Sequence, residues 1–255
     1  MTETSHLPRP DGTRLAYIHR KAAPENKTAP TLVFLPGYMS DMEGGKATAL
    51  DAWAAQSGHA MLRFDYGGCG ISEGDFRMQS LADWRDDALL MIDTLVEGPV
   101  ILVGSSMGGW LMLLVALARP EKIAGIVGIA AAPDFTRWGF DDAHKAIIQT
   151  EGTLEEPSEY SDEPYVTTRI FWESGEANLL LDGEIALDCP VRLLHGQNDA
   201  DVPWEISLKT AHALRAPDVQ TLLIKDGDHR LSRDQDIDML IRTVARLYNV
   251  SRIAE

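Results

Sequence analysis

Apolar runs and helical stripes alternate along the chain. Leu15 to Arg20 shows the period-two alternation of a strand. Thr31 to Leu35 is an apolar run ending at Pro36-Gly37, and Ala60 to Phe64 is another, followed by the turn-rich stretch Asp65 to Gly70. Ser80 with Asp83 fits a capping box, and Leu81, Trp84, Ala88, Met91 and Leu95 then fall on one helical face. Val100 to Val103 predicts a strand and Met107 to Ala118 a helix stopped by Pro120. Further strands are expected at Ile123 to Ala130, Val191 to His195 and Thr221 to Lys225. Pro203 suits the first turn of a helix reaching about Leu214. Ile237, Leu240, Ile241, Val244 and Leu247 give the closing helix its apolar face. Apolar strands separated by helices predict an α/β fold with a mainly parallel sheet covered on both faces.

Residues 1–255 are expected to form one domain, since the length suffices for one sizeable core. The segment at about 133–188 breaks the rhythm, being longer than a simple crossover requires. It carries Trp138, Phe140, Phe171 and Trp172, which are candidate substrate-binding residues of a lid or cap. From Asp134 to Asp188, fourteen Asp or Glu stand against three Arg or Lys, a local balance of −11. Such a field is expected to disfavour polyphosphate substrates such as acyl-coenzyme A. The plainer alternative is an acidic surface loop with a few core aromatics.

The formal net charge of −16 argues against nucleic acid and anionic membrane surfaces as partners. Gly98 to Ala118 holds 21 positions without a charge, near the length of a membrane span. Its internal glycines and serines instead predict a buried strand, a tight turn and a buried helix. Cys69 and Cys189 make no disulfide framework. The N-terminus shows no apolar signal segment, so a cytoplasmic location is expected.

The chemistry centres on Gly104-Ser105-Ser106-Met107-Gly108, a G-x-S-x-G run between a predicted strand and a predicted helix. That setting is a nucleophile elbow, in which a strained turn lifts the serine clear of the sheet and needs glycine on either side. Ser106 is therefore the candidate nucleophile, ahead of Ser105. A serine hydroxyl needs a base to take its proton. Among seven histidines, His229 lies in a loop after the last strand, where functional loops cluster, whereas His195 at a strand end suits a structural role. The acid is expected between serine and histidine in the chain, giving Asp199, with Asp201 as its rival and possible helix cap. The backbone N–H groups of Met107 and Tyr38 are the candidate oxyanion-hole donors.

These segments resemble those of the α/β-hydrolases: LPGYMSDMEGGKA, DYGGCGISEG, GSSMGGW, HGQNDADVP and DGDHRLS occur in that family's order, from about Leu15 to the end. PGYMS, the lysine after two glycines and GSSMGGW further resemble the mitochondrial palmitoyl-protein thioesterase and acyl-glucuronide hydrolase subfamily. Pro36 stands where many relatives carry histidine. The resemblance implies the α/β-hydrolase fold with a small lid insertion. It also implies hydrolysis of acyl esters or thioesters through an acyl-enzyme, without metal or organic cofactor, in a bacterial relative acting on a small-molecule or S-acylated substrate. The alternatives are carbon–carbon bond hydrolysis on the same residues, or a ligand-binding receptor with a retired site.

Overall fold

The computed structural model describes residues 3–158 and 164–253. One eight-stranded sheet carries the fold. In chain order its strands are β1 (Ser5–Pro8), β2 (Arg14–Arg20), β3 (Thr31–Leu35), β4 (Met61–Phe64), β5 (Val100–Ser105), β6 (Ile123–Ile129), β9 (Val191–Gly196) and β10 (Val219–Ile224). Their spatial order is β1-β2-β4-β3-β5-β6-β9-β10. β1 and β2 run antiparallel to their neighbours, and every pairing from β4 to β10 is parallel. The helices are α1 (Gly45–Ser57), α2 (Leu81–Leu95), α3 (Met107–Ala118), α4 (Phe135–Trp138), α5 (Asp142–Glu151), α6 (Arg169–Glu176), α7 (Glu205–Ala213) and α8 (Asp234–Ile253). A separate two-stranded ribbon joins β7 (Thr153–Glu156) to β8 (Tyr165–Thr168).

Strand alternation divides the core between two faces. Val33, Leu62, Val100, Leu102 and Leu193 point to the side packed by Trp84, Met91, Trp110 and Leu111 of α2 and α3. Leu32, Met61, Ile101, Val103 and Leu194 point to the other, against Leu50 and Ala54 of α1 and Leu240, Val244 and Leu247 of α8. The central strands are buried on both sides, so they read as continuous apolar runs. The Ser80 box closes as the spacing predicts: Asp83 N–H donates to Ser80 Oγ at 3.1 Å, and Ser80 N–H to Asp83 Oδ2 at 2.9 Å.

The charge-free stretch resolves into β5, a turn and α3. No helix among the described residues is long and apolar enough to cross a membrane. Residues 133–188 hold α4, α5, the β7–β8 ribbon and α6, inserted between β6 and β9. Several ties stitch this insertion to the body. Trp110 Nε1 donates to Asn178 O at 3.1 Å, Ala82 N–H donates to Ser174 Oγ at 3.1 Å, and Arg77 pairs with Glu155 at 2.6 Å. Tyr38 Oη donates to Val166 O at 2.6 Å.

Candidate active site

Ser106 sits between β5 and α3 at φ 55°, ψ −121°, a backbone conformation rare outside glycine. The turn is held by Ser106 N–H to Ile129 O (2.9 Å), Gly109 N–H to Ser106 O (2.8 Å) and Ala132 N–H to Ser106 O (3.1 Å). The two flanking glycines are required by space. A Cβ on Gly104 would lie 2.2 Å from Gly108 O, and one on Gly108 would lie 2.1 Å from Leu35 O.

The loops after β9 and β10 bring Asp199 and His229 to this turn. They meet through glycine: a Cβ on Gly196 would lie 2.2 Å from Gly227 O, and Asn198 N–H donates to that oxygen at 2.9 Å. His229 Nε2 is 3.1 Å from Ser106 Oγ, and its Nδ1 is 2.8 Å from Asp199 Oδ2. Asp199 Oδ1 accepts the N–H groups of Asp201 (2.9 Å) and Val202 (2.8 Å). Burial works to raise the Asp199 carboxyl, but hydrogen bonds from His195 and His229 outweigh it and hold the group well below the usual carboxylate range. Asp199 is thus an anion facing His229 Nδ1. Asp201, the rival acid, is exposed on the same loop, and the N-cap position of α7 belongs to Trp204.

The loop after β3 lies against the elbow, where a Cβ on Gly37 would sit 3.2 Å from Ser105 O and 3.4 Å from Ser106 Cβ. Tyr38 follows in this loop and lines the same cleft as Ser106. Met107 is the first residue of α3, a position whose N–H has no intrahelical acceptor. Burial raises the Tyr38 phenol far above its ordinary value, so its hydroxyl stays a donor to Val166.

The cleft encloses about 470 Å³. Phe135, Trp138 and Phe140 supply an apolar wall, with Tyr38, Ser106 and His229 at the reacting end. Two expected wall residues are not there. Phe171 is buried at 1% exposure in the main core, its ring 4.8 Å from Tyr38 and 5.5 Å from Trp84. Trp172 turns its indole N–H to Thr136 O at 3.2 Å and fastens α6 to α4. Neighbours on a helix point about 100° apart, so α6 spends one aromatic on the core and the other on the insertion's own packing. Phe135 takes the place expected of them. The signal for it is its position, in the segment that follows β6 on the carboxyl side of the sheet.

Charge in the cleft is mixed. Of the insertion's acids among the described residues, Glu156 reaches the lining, with Asp41 and Asp201 from elsewhere, and Lys46 and Arg230 line it as well. Lys46 Nζ donates to Arg230 O at 2.5 Å. Burial, aided by the Arg230 charge and opposed by Asp228 and Asp236, lowers its ammonium from 10.5 to about 8. Asp199, Asp201 and His229 bring possible metal-ligating atoms within 4.8 Å of one another, but Asp199 Oδ2 and His229 Nδ1 already bond each other.

The chain is similar over most of its length to known proteins. The family described as serine aminopeptidase, S33, matches residues 26–153. The human mitochondrial palmitoyl-protein thioesterase ABHD10 is 41% identical over 247 residues, covering 95% of this chain and 79% of that protein. The structure of mouse alpha/beta hydrolase domain-containing protein 10 is 40% identical with a TM-score of 0.89, covering 97% of this chain and 98% of the mouse chain. A crystal structure from Agrobacterium vitis S4 is 39% identical with a TM-score of 0.91, covering 97% of this chain and 99% of its own. The chain belongs to the α/β-hydrolase superfamily, within the serine aminopeptidase S33 family and in the branch of the ABHD10 relatives.

Proposed function

We propose that this α/β-hydrolase cleaves acyl esters or thioesters through an acyl-enzyme on Ser106. The observation that carries the reading is the continuous hydrogen-bonded series Ser106–His229–Asp199, with the serine on a strained turn that aims its hydroxyl into the cleft. His229 Nε2 takes the Ser106 proton as Oγ attacks the acyl carbonyl. The backbone N–H groups of Tyr38 and Met107 receive the developing oxyanion. The bond from acyl carbon to leaving oxygen or sulfur then breaks, and His229 returns the proton to that atom. Water repeats the sequence with His229 as base, releasing the acid and restoring Ser106. Asp199 holds the imidazole with its proton on Nδ1 and stabilises the imidazolium.

The acyl chain lies along Phe135, Trp138 and Phe140, which suits a medium or long apolar chain. The printed name of the ABHD10 relatives supports S-acylated peptides among the substrates. The test is covalent labelling by a fluorophosphonate probe. Label on the parent chain that is lost in Ser106→Ala, together with loss of ester hydrolysis, is the expected result. Unlabelled parent protein, or a Ser106→Ala variant that turns over as fast, ends this reading and favours a receptor on the same fold.

A further inference from the structure

Asp199 is backed by a second histidine that the reaction above does not use. His195 is the penultimate residue of strand β9, just before Gly196, and its side chain is fully buried. Its Nε2 lies 3.1 Å from Asp199 Oδ2 and 3.0 Å from the Val202 carbonyl oxygen. Both neighbours are acceptors only, so Nε2 carries a hydrogen. On the far side of the ring, Nδ1 lies 2.7 Å from the hydroxyl of Ser207, itself buried in α7. In the neutral ring that nitrogen accepts, and Ser207 donates to it.

The Asp199 carboxylate therefore has its four acceptor positions filled in pairs. Oδ1 takes the N–H groups of Asp201 and Val202; Oδ2 takes those of His229 and His195. A carboxylate held by four donors has no low-cost rotation left. The donor from His195 falls on the same oxygen that faces His229, so it also draws off part of the charge that oxygen presents to the imidazole.

We propose that His195, its tautomer set by Ser207, is a positioning residue that fixes Asp199 against His229 and tempers the pull of that carboxylate on the imidazole proton. The proposal rests on the reading of Asp199 as the acid of a Ser106–His229–Asp199 triad. The one Nε2 hydrogen is shared between Asp199 Oδ2 and the Val202 carbonyl oxygen, so a structural histidine serving Val202 alone is told apart by the pH profile, which only the donor to Oδ2 moves.

The test compares kcat and KM on a nitrophenyl ester, across the pH range in which histidine titrates, for the parent, His195→Leu, His195→Gln and Ser207→Ala. The other charged groups lining the cleft with His229 are Asp41, Lys46 of α1, Glu156 of the insertion, Asp201 of the acid loop and Arg230, and Asp228 precedes His229 in its loop. All remain in every variant, so a displaced profile reports the lost donor. His195→Leu is expected to lower kcat about ten- to a hundredfold, the scale seen when an outer hydrogen-bond partner is removed. KM should stay within about twofold, because no substrate contact is lost. Its acid limb should move to higher pH, since an Asp199 with one donor fewer holds the His229 proton more strongly.

His195→Gln, whose amide nitrogen reaches the place of Nε2, should recover most of the loss. Ser207→Ala should show the same signs at smaller amplitude. Equal losses in the Leu and Gln variants, a rise in KM alone, or an unmoved acid limb overturns the proposal. If His195→Leu does not fold, Ser207→Ala decides: parent-like kcat and pH profile there also overturn it. Fluorophosphonate labelling of the parent and of Ser106→Ala runs alongside. Labelled parent with inert Ser106→Ala but unaffected His195 and Ser207 variants sinks this inference alone, whereas failed labelling sinks the triad reading itself.

Discussion

The hydroxyl of Tyr38 donates to the carbonyl oxygen of Val166 at 2.6 Å, joining the loop after β3 to strand β8 of the insertion. Around that bond the Tyr38 ring meets Phe76, Trp84, Phe135 and Phe171 at centroid distances from 4.8 to 5.9 Å. The residue whose backbone we assign to the oxyanion hole is therefore clamped by the insertion through its side chain. On this reading the insertion frames the oxyanion donor as well as covering the cleft. Tyr38→Phe should leave the buried Val166 carbonyl short of a donor and cost about 1–3 kcal/mol. Thermal unfolding measures this, and an unchanged midpoint would show that the bond contributes nothing to stability.

The two acids of the β9 loop separate by substitution. Asp199→Asn should lower kcat by several orders of magnitude, since an amide disfavours the imidazole tautomer that the base requires. Asp201→Asn should change kcat by less than about threefold, as the oxygen facing His229 Nδ1 is Asp199 Oδ2 and the backbone N–H that Asp201 gives Asp199 Oδ1 survives the substitution. A crippled Asp201→Asn beside a mild Asp199→Asn would reverse the assignment.

The aromatics of the insertion divide the same way between binding and stability. Trp138→Ala should lower kcat/KM for long-chain nitrophenyl esters more than for acetate, because each buried methylene adds about 0.8 kcal/mol. Phe171→Ala should instead cost about 3–5 kcal/mol of stability through a core cavity. A chain-length series and denaturant unfolding on both variants check the pair. A Trp138→Ala that weakens all esters alike would remove the acyl-channel assignment.

Lys46 gives a prediction in alkaline solution. Its folded-state value is lowered from 10.5 to about 8, so between those limits the unfolded chain binds more protons than the folded one. Stability contributed by this group therefore rises with pH through that window. Lys46→Met should lack that rise, while other alkaline titrations are common to both proteins. Denaturant midpoints at the two ends of the window give the comparison, and parallel slopes would rule the effect out.

Strands were the most readable part of the sequence, because strands buried on both faces appear as unbroken apolar runs. Helix α1 was hidden: Gly45–Ser57 is alanine-rich and lacks an apolar stripe, and it is held by Leu50, Ala47 and Ala54 against α8. β1 is four residues long with one aliphatic, Leu7, and exists by pairing with β2. The short pieces of the insertion owe their form to tertiary anchors such as the Asp134 carboxylate, which accepts the N–H groups of Leu180 and Leu181 at 2.8 Å each. Local turn chemistry and chain order point to Ser106, Asp199 and His229. His195 resembled any histidine ending a strand, since Ser207 and the second acceptor, Val202 O, come near it only in the fold.

On the proposed mechanism, the sheet order also bears on when the site can be completed during synthesis. Ser106 and His229 stand 123 residues apart, and the loop carrying His229 hangs from β10, an edge strand whose sheet partner is β9. The elbow between β5 and α3 can be in place while the ribosome is still making the acid and the base. Closure of the hydrogen-bonded series waits for β10 to dock in register, Val219 against Val191. Recovery of hydrolysis after dilution from denaturant would then trail the return of helical signal. On the proposed mechanism, turnover is expected to report the docking of the C-terminal edge of the sheet, which spectroscopic probes of the centre do not follow.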